Sequence, residues 1–383
     1  MSISLWRRTN AFGTIVCDTA IIGGGVAGLS AALHLQRRGI DAQIIERHAV
    51  GAGASSRNAG FLMRGAADNY AAAIRDWGRP MAQVVWRTTE LNLEGLRALG
   101  IGRLVTYRAV PSMLVAMEEE ERAELVESVR LLKEDGFAVG WTESGTDSFW
   151  PHARPLGGLI NPNDASINPV EMLVLLRSML MRPVLEHQEV IDVAEHQGGV
   201  RILTSDAQVV CRRVMVCLNA YAGPLFPQLA ELVVPNRGQK VALHAPGMRL
   251  DASYYANHGG EYFRQPAPDV ITLGGWRRFF EAEERTMEDR VTEGVQEGLE
   301  AFAEKIFGRR LAVLARWSGT MGFTPDGLPL VGPIPGYPSR NVWFCGGFTG
   351  HGMSLGFQTA NHAVAAMLGE EEPMFALSRL RGG

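Results

Sequence analysis

The chain has 383 residues, 46 % of them hydrophobic, which suffices for two or three structural units with a large core. Its 37 basic and 41 acidic residues leave a formal charge of −4 with no long block of one sign, so no nucleic-acid partner is expected. The four cysteines, Cys17, Cys211, Cys217 and Cys345, form no Cys-x-x-Cys pair and no zinc spacing, which argues against a disulfide scaffold and a metal site.

Cys211 and Cys217, if they share one strand, lie roughly 20 Å apart at about 3.3 Å per residue, and read as core thiols. No apolar run reaches the roughly eighteen residues of a bilayer span. Residues 1–10 lack the apolar stretch of a secretory signal. A cytoplasmic protein without an integral membrane segment is expected. Glycine accounts for 44 residues, and the excess gathers in a few segments where the chain turns tightly or approaches a ligand.

The first such segment follows Cys17 to Ile22, which reads as a buried strand. Gly23-Gly24-Gly25-Val26-Ala27-Gly28 then leads into the helical spacing of Leu29, Ala32 and Leu33. A second strand, Ala42 to Glu46, ends in an acid inside the same βαβ unit. Gly23 permits the tight turn, Gly25 lets backbone approach a pyrophosphate, and Gly28 lets helix and sheet pack closely. Glu46 is placed for ribose hydroxyls, and the helix start, with Val26 and Ala27, offers N–H groups to phosphate. An acid rather than a base at position 46 disfavours a 2′-phosphate, leaving FAD or NAD. The next segment, Gly51 to Gly60, favours FAD: Ala54, Ser55, Ser56, Asn58 and Gly60 offer donors to a longer dinucleotide, and Arg57 adds a cation.

Further along, Glu118 to Glu121 reads as a solvated helix start. Asn168 or Ser166 caps an amphipathic helix from about Val170 to Met181, with Met172, Met179 and Met181 in the core. Two strands are expected around Val200 to Val216, and a surface helix from Arg290 to Ile306. Near the end, Val342 to Cys345 is an apolar strand. Gly346 to Ser354 forms a glycine-rich turn around His351, and a helix follows through Met367, its start suited to negative charge on a reduced flavin.

These motifs resemble the FAD-dependent D-amino acid oxidase superfamily. The resemblance rests on Gly23-x-Gly25-x-x-Gly28 with Glu46-Arg47, on Gly53-Ala54-Ser55-Ser56-Arg57-Asn58-x-Gly60, on Thr324-Pro325-Asp326-Gly327-x-Pro329, and on Gly347-Phe348-x-Gly350-His351-Gly352. It implies an α/β fold, α+β overall: a Rossmann-like βαβ FAD-binding domain (1–98, 160–232 and 316–383) with a discontinuous mixed-sheet substrate domain (99–159 and 233–315). By the same resemblance Val190 lies by the adenine, and Asn219, Gly319, Gly350, Gly352, Met353 and Ser354 approach the flavin. Strands around Tyr262 to Arg264 and Val270 to Leu273 form the substrate sheet, and Tyr262, Arg264, Met321 and His351 are candidate active-site residues.

The implied chemistry is oxidation of a C–N bond, with a small-molecule amine as substrate and oxygen or another electron acceptor. The family's amino acid oxidases place a carboxylate-binding arginine where this chain has Met321. Sarcosine oxidase-like members place a carboxylate-binding lysine where it has Ser354, and an oxygen-promoting lysine where it has Thr272. The pattern is nearest the γ-glutamylputrescine oxidase-like group, so an amine is expected before glycine, sarcosine or a D-amino acid. With no cysteine from Gly319 to Phe323, the FAD is expected to be noncovalent. Two other classes stay open: a nicotinamide-dependent dehydrogenase, and a non-catalytic flavin-bound subunit of a larger assembly.

Overall fold

In a computed structural model, residues 13–66, 68–143 and 154–381 are described; the segment 1–10 lies outside them. Thr19–Ile22, all four residues buried, is flanked in parallel by Ala42–Ile45 and Arg213–Val216, and Val342–Gly346 continues the sheet in parallel. Leu330–Pro333 closes this five-stranded sheet antiparallel. Continuous apolar runs suit strands covered on both faces. Gly23 turns at φ +112°, and a Cβ there would stand 2.7 Å from the Cys217 carbonyl oxygen. The helix Val26–Arg37 starts at once, packed so tightly that a Cβ on Gly28 would lie 1.9 Å from the Gly23 oxygen.

Across this helix lies Gly352–Met367, where Gly356 admits Val26 at close range. Buried Asn92, on the helix Arg79–Ala98, donates to the Met353 carbonyl and accepts from the Phe357 N–H, fixing where the C-terminal helix begins. A four-stranded sheet, Thr14–Val16, Gln208–Cys211, Gly199–Thr204 and Val190–His196, stands beside the five-stranded one. The largest sheet has eight strands, in the order Ala312–Phe323, Val234–His244, Val270–Gly275, Glu261–Ala267, Ser253–Ala256, Ser112–Ala116, Gly157–Asn161 and Gly140–Thr142. Among the described residues no helix is long and apolar enough to cross a membrane.

Several local expectations need correction. Three strands, not two, fill Gly199 to Val216, because the chain breaks at Arg212, whose N–H donates to the Asp18 carbonyl. Cys211 and Cys217 therefore do not share a strand. Each thiol instead has another cysteine as its neighbour, Cys211 with Cys17 and Cys217 with Cys345; Cys211 Sγ donates to the Val200 carbonyl at 3.7 Å, and all four are free and buried.

The capped helix is Pro169–Ser178, with Asn168 Oδ1 accepting from Val170 N–H at 3.0 Å. Met172 is buried, but Met181 lies past the helix end and is exposed. Glu118, Glu119 and Glu120 are exposed, whereas Glu121 is buried, accepting from the N–H groups of Met117 and His258. The helix expected from Arg290 runs Glu293–Phe307 and buries Val295, Leu299, Phe302 and Ile306. Two of the expected domain limits, 159/160 and 315/316, fall inside the strands Gly157–Asn161 and Ala312–Phe323.

Candidate active site

Between the five-stranded and eight-stranded sheets lies a cavity of about 1450 Å³, more than the roughly 300–1,000 Å³ of ordinary small-molecule sites. At one end it is walled by Gly23, Gly24, Gly25, Val26, Ala27 and Glu46, with Arg47 and Val190 at its edge. The glycine turn presents bare backbone, and a Cβ on Gly25 would come within 2.9 Å of Ser55 Oγ. Glu46 ends the strand Ala42–Ile45, and its carboxylate accepts from Gly24 N–H at 2.7 Å and His48 N–H at 2.8 Å, leaving lone pairs free toward the cavity. Ser55 Oγ accepts from Val26 N–H at 3.0 Å, which ties the polar loop to the helix start.

Mid-cavity, the short helix Ala54–Arg57 brings Ala54, Ser55, Arg57 and Asn58 to the wall. Arg57 is a latch: it pairs with Asp289 at 2.8 Å and donates to the carbonyls of Ala52 and Ser318. Asn58 closes its turn, accepting from Gly60 N–H and donating to Ala54 and Ser55. Asn219, at φ +47°, accepts from Gly347 N–H and so sets the second glycine turn. Gly319, Gly350, His351, Gly352, Met353 and Ser354 all reach the cavity. Ser354 Oγ accepts from Met63 N–H. His351 Nδ1 stands 3.0 Å from the Thr349 carbonyl, and burial holds its imidazole below the ordinary value. Gly28, Ser56 and Gly60 stand behind the wall, where they support turns.

The far end is built from one row across five neighbouring strands of the eight-stranded sheet. Trp317 pairs with Lys240, Lys240 with Gly274, Gly274 with Tyr262, and Tyr262 with Tyr255. Gly274 leaves a gap into which the Tyr262 ring leans; a Cβ there would lie 2.7 Å from the ring. Lys240 Nζ thus reaches 4.7 Å from the Tyr262 ring centre and 5.8 Å from that of Trp317. Burial, then the charge of Arg264, pushes the lysine down to about 7. Phe61 meets both tyrosines edge-on, and Met321 fills the space between Gly238 and Gly350.

Arg264 lies behind this wall. It braces the strand Glu261–Ala267 by donating to the Ala59 carbonyl at 2.5 Å and the Ile167 carbonyl at 2.8 Å. The sequence reading passed over Lys240, although it is one of only three lysines in the chain and a charge set in an apolar strand. The sequence puts no lysine in Val270 to Gly275, where Thr272 stands, but a lysine does stand on the adjoining strand.

FAD fits the residues present: a glycine cradle that any Cβ would obstruct, an acid at the strand end, a helix start, and a long cavity continuing to an apolar wall. A family model described as FAD dependent oxidoreductase, DAO, matches residues 18–366. The chain belongs to the DAO family. It is an FAD-dependent oxidoreductase and an enzyme, so neither a nicotinamide-dependent dehydrogenase nor a non-catalytic subunit is favoured.

Among its relatives, gamma-glutamylputrescine oxidoreductase of Escherichia coli is 25 % identical over 393 residues, covering 96 % of this chain and 87 % of that protein. Glycine oxidase of Geobacillus kaustophilus is 25 % identical, covering 94 % of this chain and 95 % of that one. A crystal structure of Geobacillus kaustophilus glycine oxidase aligns with TM-score 0.78 at 22 % identity, covering 95 % and 98 % of the two chains. L-proline dehydrogenase from P. horikoshii aligns with TM-score 0.78 at 18 % identity, covering 96 % and 99 %. The DAO fold is the α/β arrangement with a mixed sheet that the sequence motifs imply.

Proposed function

We propose that this DAO-family enzyme binds FAD noncovalently along the cavity and oxidises the C–N bond of a small-molecule amine, with water hydrolysing the resulting imine and oxygen or another acceptor taking the electrons. The observation that carries this reading is the continuity of the cavity, from the glycine cradle at Gly23–Ala27 to the aromatic wall of Tyr255 and Tyr262. When bound, FAD supplies the two-electron acceptor. The chain's own residues orient the substrate and exclude water. Phe61, Tyr255 and Tyr262 provide a dry face, and Met321 and the Gly350–Ser354 turn extend the wall beside it.

In this reading Glu46 holds ribose, Gly25 and the helix start face the pyrophosphate, Val190 flanks the adenine, and His351, kept neutral by burial, shapes the turn. The eight-stranded sheet is the substrate-binding layer. Relatives named for a putrescine derivative, for glycine and for 4-methylaminobutanoate support an amine or amino acid substrate. Four unbridged cysteines support a reducing compartment, the cytoplasm.

The test is the visible spectrum of the purified protein, repeated anaerobically with polyamines, N-methyl amines, glycine and D-amino acids. A flavin band bleached by amines is expected. Bleaching by glycine or D-amino acids alone moves the substrate to that class, and a colourless protein overturns the cofactor reading.

A further inference from the structure

Lys240 is a cation without a counter-charge. Its ammonium group is buried and, among the described residues, has no hydrogen-bond partner. The charges that act on its neighbourhood are positive: Arg264 acts on Lys240, and Arg108 acts on Arg264. Arg264 spends its hydrogen bonds on neutral acceptors, the carbonyls of Ala59 and Ile167 and the hydroxyl of Ser166. A buried charge is costly unless something pairs with it. Lys240 belongs to the cavity lining, and the gap at Gly274 lets the Tyr262 ring lean in beside Nζ. Arg237 and Gln239, which alternate with Lys240 along the strand, turn to the opposite face and bond Glu284 there.

We propose that Lys240 is the anion-recognising residue of the substrate cavity, so that the amines turned over here carry a carboxylate on the same molecule, held by Nζ at the strand Val234–His244. This rests on the amine-oxidation reading. The subsite is formed by cross-strand register, not at Met321 or Ser354. A carboxylate there receives a charge-assisted hydrogen bond and neutralises the excess of positive charge. The rings of Tyr262 and Trp317 keep water from competing.

The experiment has two arms on the holoenzyme, wild type against Lys240→Met, with flavin content per chain and melting temperature as folding controls. In the first, butanoate and butanamide are titrated while the flavin absorbance is followed. Wild type is expected to bind butanoate, with at least about tenfold weakening in the variant, and to show no comparable response to butanamide. In the second, kcat/KM is measured for a series of ω-amino carboxylates and their primary amides. The carboxylate-to-amide ratio is expected to fall toward one in Lys240→Met and to recover in part in Lys240→Arg.

Equal losses on both members of each pair, or an unchanged ratio, overturn the proposal. Should Lys240→Met fail to hold flavin, Lys240→Gln takes its place with the same expectations. Butanoate binding that depends on Lys240, without bleaching by any amine, would leave the anion subsite standing and remove the amine reading instead.

Discussion

The two ends of the cavity are built on different principles. At the dinucleotide end the lining is backbone. Gly23 and Gly25 leave no room for side chains, and the acid at the strand end, Glu46, is already held by two N–H groups. At the far end the lining is side chains from five strands, and the buried cation among them, Lys240, has no hydrogen-bond partner among the described residues. The first end suits a ligand of fixed shape that never changes from turnover to turnover. The second suits a ligand that must be chosen, and it holds a polar group out of balance until that ligand arrives.

The sharpest way to break this contrast is to unseat the strand that carries Lys240. Arg237 and Glu284 form an ion pair whose side chains are both fully buried. Glu284→Ala leaves the guanidinium unpaired and is expected to cost about 3–5 kcal/mol in denaturant unfolding. Next in size is an attack on the other end. In Gly28→Ala the new methyl group meets the Gly23 oxygen, an overpacking worth about 1–3 kcal/mol. Flavin absorbance per chain should fall with it, because the cradle itself is displaced.

Lys240→Met then separates the ends by pH. The folded protein holds Lys240 at about 7 against an ordinary 10.5, owing to burial and then to Arg264. Between those values the unfolded chain carries a proton that the folded chain has released. This group therefore makes stability rise with pH, by at most about 1.4 kcal/mol per unit. The neighbouring tyrosines, Tyr255 and Tyr262, are pushed upward by burial, and because wild type and variant share them their titration cancels in the comparison. The variant should be the more stable protein near neutrality, and its advantage should vanish as pH rises toward 10.5; denaturant midpoints across pH check both. Smallest is a control outside both ends: Asn168→Ala removes a helix cap and should cost about 1 kcal/mol with flavin content unchanged.

The same contrast explains what was legible in the sequence. The βαβ unit and its glycines are local, so Gly23 to Glu46 could be read from a short stretch of residues, as could the Asn168 cap. The row from Trp317 to Tyr255 is assembled from five separated segments by pairing register, which no local pattern encodes. Lys240 was visible only as an out-of-place charge. Arg264 carries the right chemistry for a clamp, yet its guanidinium reaches backward to the Ala59 carbonyl. Glu121 looked solvated because its neighbours are, but it turns inward to cap the Met117 and His258 N–H groups. The thiol pairs Cys17–Cys211 and Cys217–Cys345 were hidden by the break at Arg212.

The strand Val234–His244 divides its labour by face. Its rear side chains, Arg237 and Gln239, are bound to Glu284 and Thr292, and these contacts hold its alignment with both neighbours. Slipping by one residue would exchange rear for front. With the alignment secured from behind, position 240 becomes an exchangeable fitting. Related enzymes could diverge in substrate by changing that one residue, and an engineer could do the same, without redesigning the sheet that presents it.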